Sequence, residues 1–126
     1  MIRYEERPAA DIDHLFEQGK REGLSFVPGT AYIAALEGNR IIGFAGMKMR
    51  GSQVTLRNLY LLPDYRGRGI GKALVMKQLD WAKRSGARTA VAFSNWNSKH
   101  IYAAMGGVED PGPRYYGKMT FRLGDS

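Results

Sequence analysis

The segment Leu59-Tyr60-Leu61-Leu62-Pro63-Asp64-Tyr65-Arg66-Gly67-Arg68-Gly69-Ile70-Gly71-Lys72 constrains the fold more than any other part of the chain. The residues before it, Val54 to Leu62, are rich in β-branched and large apolar side chains and end at Pro63, which reads as a strand. Beyond it Ile70, Leu74, Val75, Leu79 and Ala82 recur at helical spacing, with Gly86 as a stop signal. A strand that turns through glycines into a helix exposes that helix's first N–H groups. Those groups lack intrahelical partners and lie at the positive end of the dipole. Glycine removes the Cβ atoms that would hold an anion at a distance, and Arg66, Arg68 and Lys72 add positive charge. The combination suits a pyrophosphate.

The rest of the chain supplies a sheet for this unit. Ile2 to Glu5 reads as a short strand ended by Pro8, and Asp11 as the N-cap of a helix over about 12–22 that stops at Gly23. Ala31–Leu36 and Arg40–Lys48 read as strands joined at Gly38-Asn39, which offers the positive-φ residues of a tight hairpin, and Gly51-Ser52 supplies a second turn. Ala87–Phe93 resembles a buried strand, 98–105 a short helix, Gly106–Pro113 a loop and Tyr115–Leu123 a last strand. The expected architecture is a single α/β (α+β) domain over residues 1–126, with a central mixed, mostly antiparallel sheet flanked by helices. Met47, Met49 and Met76 read as core filler, Trp81 as the edge of its helix's apolar face, and Trp96 as cover for a strand end.

Composition narrows the function classes. The 126 residues are 44% hydrophobic and 25% charged, ordinary for a globular domain, with no apolar run long enough for a membrane span and no signal-like N-terminus. Zero cysteines exclude a thiolate nucleophile or a sulfur-built metal site, and a cytoplasmic location is expected. The net charge of +7 arises wholly outside the acid-rich residues 1–22, and favours an anionic partner: a phosphorylated cofactor, an acidic substrate or nucleic acid. Zinc-ligand spacing, a helix-turn-helix and an aromatic RNA-binding motif are all missing, which argues against nucleic acid.

Spacing decides among phosphate motifs. A Walker A loop ending at Gly71-Lys72 needs glycine where Arg66 stands and Ser or Thr where Ala73 stands. A dinucleotide fingerprint from Gly67 needs glycine at Lys72. R-x-x-G-x-G fits from Arg66 through Gly69 to Gly71, and resembles the pyrophosphate signature of the GNAT superfamily of N-acetyltransferases. Leu-Tyr-Leu-Leu-Pro-Asp-Tyr before it resembles that family's leading strand. Downstream, Asn95, Tyr102 and Gly106 match a second family pattern, with Ser98 at its small-residue position. The resemblance spans about residues 31–123.

The resemblance implies acetyl-CoA as acyl donor, no metal, and direct transfer to an amine in a ternary complex. It implies that Arg66, Gly67, Arg68, Gly69, Ile70, Gly71 and Lys72 hold the pyrophosphate. The backbone of Leu59, Tyr60 and Leu61 would pair with the pantetheine amides, and one N–H there would face the developing oxyanion. Asn95 would hold the pantetheine arm or a neighbouring loop, Ser98 would contact the cofactor, and Tyr102 would be the general acid toward the leaving thiolate. The acceptor is expected to be a small-molecule amine, with a peptide amine the other class.

Three departures accompany it. No acid occupies 53–62 or 87–93 to serve as general base, Glu37 reads as a hairpin residue, and His100 as a polar surface or loop-packing residue. Only one N-terminal helix precedes Gly23–Thr30, so either a second helix has shrunk to a turn or another subunit, as in a homodimer, completes the pocket. Gly107 stands where an aromatic residue commonly follows the motif glycine, which implies looser packing there. The missing base leaves a second reading, a non-catalytic acyl-CoA-binding or regulatory domain.

Overall fold

Two tight hairpins build the first half of the sheet. Strands β2 (Ala31–Glu37) and β3 (Arg40–Arg50) meet at Glu37↔Arg40, and β3 meets β4 (Gln53–Leu61) at Arg50↔Gln53. Each leaves a two-residue turn whose first residue, Gly38 (φ 62°) or Gly51 (φ 61°), is left-handed. Asn39 does not share that conformation, so one glycine per turn suffices, as in a type II′ hairpin. With β1 (Ile2–Arg7), β5 (Thr89–Phe93), β6 (Val108–Glu109) and β7 (Lys118–Arg122), these strands form one seven-stranded sheet in the order β1-β2-β3-β4-β5-β7-β6. The computed structural model describes residues 1–94, 98–110 and 117–124. Only β4 and β5 run parallel; every other neighbouring pair is antiparallel.

Alternation along the strands divides the apolar residues between two faces. Ile33 and Ala35 of β2 face a cluster with Leu74 and Val75 of helix α3 (Ile70–Arg84), together with Tyr102 of helix α4 (Lys99–Ala104). Tyr32, Ala34 and Leu36 face the opposite way, toward Ile12, Leu15, Phe44 and Tyr60. That second face is covered by helix α1 (Ala9–Ile12), a 3-10 turn at Asp13–Leu15, and helix α2 (Phe16–Arg21). Leu24 and Phe26 pack there too, Phe26 stacked on Phe16 with ring centroids 3.9 Å apart. The segment after α2 thus covers the face without a second long helix.

Several expectations are corrected. The N-terminal helix is split, starts at Ala9 and is capped by Pro8; Asp11 lies inside its first turn, its carboxylate 3.3 Å from Arg7. Pro8 offers no side-chain cap, and its carbonyl accepts the Asp11 N–H at 3.0 Å to close the first turn. The last strand is Lys118–Arg122, preceded by a turn at Gly117, while the expected strand start at Tyr115 lies outside the described residues; the expected loop after Gly106 contains the short β6. Of the three methionines only Met47 is buried; Met49 and Met76 are exposed. Gly107 is not loosely packed. A Cβ there would meet the Phe121 ring at 2.8 Å, so β7 supplies the aromatic that the chain lacks at position 107.

Candidate functional site

The site begins with an irregularity in β4. Phe44 pairs with Tyr60 but Gly46 pairs with Arg57, so Ala45 alone opposes Asn58 and Leu59 in a bulge. Asn58 takes the left-handed conformation (φ 54°), and its Nδ2 donates to the Ser25 carbonyl at 2.8 Å. Gly46 is required opposite it, because a Cβ would meet Thr30 Cγ2 at 2.8 Å and Asn58 Oδ1 at 3.3 Å. The fully buried Gln78 of α3 donates from Nε2 to the carbonyls of Gly46 (2.9 Å) and Arg57 (3.3 Å), tying both strands at the bulge. Gln78→Leu would strip those buried acceptors of their donor, at a cost of about 1–3 kcal/mol. Urea unfolding checks this; an unchanged midpoint would show that Gln78 does not hold the bulge.

The same stretch is where the parallel pair separates. Pairing of β4 with β5 runs from Gln53↔Thr89 to Leu56↔Ala92, and β4 continues to Leu61 without a partner on that side among the described residues. Just beyond, Pro63–Tyr65 makes a 3-10 turn, and Gly67 (φ 79°) and Gly69 (φ 83°) carry the chain into α3. Both glycines face open space, and Gly69 is the N-cap of a helix with no side-chain cap and no acid in its first turn. Lys72 stands there instead, unfavourable beside a positive helix end unless an anion offsets it. Gly71 has a different role: a Cβ would press on Ile101 of α4 at 2.9 Å.

A cavity of about 510 Å³ joins these parts. Among the anticipated residues Leu59, Tyr60, Leu61, Arg66, Gly67, Gly69, Gly71, Lys72 and Ser98 line it; Arg68, Ile70 and Tyr102 do not. Ile70 is buried in the core, and the Arg68 guanidinium lies 5.2 Å from the centre of the Tyr65 ring. Asn95 lies outside the described residues, as does Trp96. Arg66 lines the wall already engaged: it donates to both carboxylate oxygens of Glu22 (2.8 and 2.9 Å) and to the Leu61 carbonyl (3.0 Å), beside the Tyr60 ring. It clips the end of α2 to the glycine loop.

Glu22, Leu24, His100 and Ile101 also line the cavity and were not anticipated as site residues. Glu22 and Leu24 arrive from the opposite face of the sheet, which no local pattern reports. Tyr102 is buried with 2% exposure, its ring edge-on to Phe121 (centroids 6.2 Å apart) behind the bulge. Burial pushes its phenol well above the ordinary range, and the neighbouring Gln78 side chain offsets this only in part. The Tyr60 phenol is raised as well, first by burial and then by the Glu22 charge, with Arg66 opposing.

The fold and cavity together define a mixed α/β domain with an exposed helix start beside a divergent strand pair. Residues 2–106 match the model of the Acetyltransferase (GNAT) family, and the chain belongs to that family. It is 37% identical over 98 residues to an uncharacterized N-acetyltransferase of Mycobacterium tuberculosis, covering 76% of this chain and 55% of that protein. It is also 37% identical over 92 residues to the [ribosomal protein bS18]-alanine N-acetyltransferase of Haemophilus influenzae, covering 70% of this chain and 62% of that one. The chain therefore spans a little over half the length of these curated relatives. Among solved structures, the ribosomal-protein-S18-alanine N-acetyltransferase of Escherichia coli aligns over 100% of this chain and 96% of its own, with TM-score 0.80 at 17% identity. The PaiA N-acetyltransferase of Thermoplasma acidophilum, in complex with coenzyme A, aligns over 97% and 99%, with TM-score 0.79 at 17% identity. At such identities the structural likeness speaks for the fold. Among the described residues no helix is long and apolar enough to cross a membrane.

Proposed function

We propose that this chain, as a single acetyltransferase domain, transfers the acetyl group of acetyl-CoA to a primary amine by direct attack in a ternary complex. The observation that carries the reading is one continuous cavity, running from the glycine loop at the start of α3 to the edge of β4 that β5 leaves bare. Open Gly67 and Gly69, the helix N–H groups and Lys72 suit a pyrophosphate. The backbone at Leu59–Leu61 suits the pantetheine amides, which would add to β4 as a further strand. Ser98 borders the arm, and Asn95 would do so by family resemblance. Arg66 would serve by positioning the loop through Glu22 and Leu61, and Arg68 would add long-range charge.

In the transfer the amine nitrogen bonds to the acyl carbon and the C–S bond breaks. The amine attacks in its neutral form, the nitrogen of the adduct loses its extra proton to solvent water, and the sulfur leaves as a thiolate that gains a hydrogen-bond donor. Tyr102 would be that donor. A thiol has a reference pKa near ~8.5, below that of a buried phenol, so Tyr102 would stay protonated and stabilise the sulfur by hydrogen bonding as charge develops. Because Tyr102 does not line the cavity, binding of the cofactor would have to bring its hydroxyl to the sulfur. The acceptor would be a small-molecule amine; the Haemophilus relative, named for an alanine of a ribosomal protein, makes a peptide amine the alternative class.

A second reading, an acyl-CoA-binding domain without turnover, draws on two observations. Tyr102 does not line the cavity, and Glu22, the one carboxylate lining it among the described residues, is held by Arg66. Native mass spectrometry with coenzyme A, followed by thiol release from acetyl-CoA over a broad amine panel, separates the two. The expected result is retained coenzyme A and amine-dependent release. Tight retention without release on any amine would select the binding domain, and no retention would defeat both.

A further inference from the structure

A second, smaller cavity lies on the sheet face opposite α3. It measures about 190 Å³ and is lined by Gly23, Leu24 and Ser25 after α2, by Thr55 to Asn58 of β4, and by Phe93 at the end of β5. Leu24 lines this cavity and the larger one, so the two adjoin on either side of the place where β4 and β5 part. Its volume is below the roughly 300–1,000 Å³ of pockets for drug-sized ligands, which suits a small acceptor.

Its chemistry is one-sided. Arg57 is the only ionisable side chain in the lining among the described residues. Among the described residues it takes part in no ion pair, in contrast to Arg66, which holds Glu22. Its terminal nitrogen makes one long contact, 3.4 Å to Ser25 Oγ, and its Nε is buried with no hydrogen-bond partner. An unmet donor on a charged group is costly to bury. The backbone around it is fixed by the Gln78 and Asn58 hydrogen bonds, so the guanidinium stem emerges from a rigid point. Phe93, 65% exposed, offers an apolar rim beside it.

Resting on the acetyl-transfer reading, we infer that Arg57 selects acceptors bearing a carboxylate as well as the amine, the carboxylate taking the exposed terminal guanidinium N–H groups, whose one contact among the described residues is the long one to Ser25 Oγ. A planar fork of N–H groups matches a carboxylate in two parallel hydrogen bonds. The acceptor class is then an amino acid or amino-acid-like metabolite, with its amine directed toward the bare edge of β4. A polyamine would meet the Arg57 charge with repulsion, and a peptide N-terminus carries an amide where an amino acid carries its carboxylate.

The test is initial rates of the full chain with saturating acetyl-CoA on α- and ω-amino acids, each beside its carboxamide, with spermidine and an alanine-first tripeptide. For the preferred acceptor the acid is expected to exceed its amide in kcat/KM by about 10–100-fold, the range of a hydrogen bond to a charged group. Arg57→Gln should erase that preference through KM while leaving the coenzyme A Kd unchanged, and Arg57→Lys should restore part of it. Equal use of acid and amide, or preference for spermidine or the tripeptide, overturns the Arg57 assignment while acetyl transfer stands. Transfer to no amine despite coenzyme A binding removes both. If Arg57→Gln fails to melt cooperatively, the wild-type acid-to-amide ratio decides alone.

Discussion

Gly69→Val is expected to raise the dissociation constant for coenzyme A about 30-fold or more, measured by titration calorimetry. Gly69 is left-handed (φ 83°) and caps α3, and nothing lies within 4 Å of where its Cβ would be. The penalty is therefore conformational, not steric crowding by neighbours. A left-handed L-residue costs about 1–2 kcal/mol, and a β-branched one sits at the high end. If the loop relaxes to avoid the strain, the first N–H groups of α3 turn away from a common point and the anion site is lost. About 2 kcal/mol corresponds to roughly 30-fold in affinity. Because a side chain at 69 would point into open space and displace no core residue, the fold should survive with a modest loss in Tm. A Kd within threefold of wild type would mean that this loop does not bind the pyrophosphate.

Tyr102→Phe is expected to lower kcat by about 10²–10³-fold, the span of a lost hydrogen-bond donor to a developing anion, with the KM for acetyl-CoA little changed. The phenyl ring would keep its edge-on contact with Phe121, so any loss would be in chemistry and not in packing. Burial raises the phenol, so its neutral form is present at every pH below that raised value. The wild-type profile should then show no descending limb from Tyr102 between roughly pH 6 and 9. Unchanged kcat in the variant would assign Tyr102 to the core and strengthen the binding-domain reading.

How much of this was legible depends on how local each feature is. The strand–glycine–helix unit, both hairpins and the start of α3 follow from short patterns, since turn chemistry and helical periodicity operate over a few residues. The broken N-terminal helix was less legible, because Pro8 and the Arg7–Asp11 pair compete with the N-cap signal at Asp11. Gly107 misled for a related reason. Its packing partner, Phe121, is distant in sequence, and only the sheet brings it into place.

The candidate site divides in the same way. The glycine loop could be named from spacing and Leu59–Leu61 from the family resemblance alone, and Leu59–Leu61, Gly67, Gly69 and Lys72 do line one cavity. Arg66 could be named but not interpreted, since its Glu22 partner comes from the opposite face. Arg57 and Asn58 carried no signal at all; their significance arises from a bulge set by Gly46, Gln78 and Ser25.

By itself the sequence determined the glycine loop, the helix it starts and the family to which the chain belongs, because these depend on contiguous residues whose backbone preferences are intrinsic. Only the tertiary structure decided which groups face that loop, how the parting of β4 and β5 opens a cavity, and that Tyr102 stands behind the bulge. Those outcomes depend on strand register and on packing across the sheet, where partners are dozens of residues apart and no local propensity encodes the meeting.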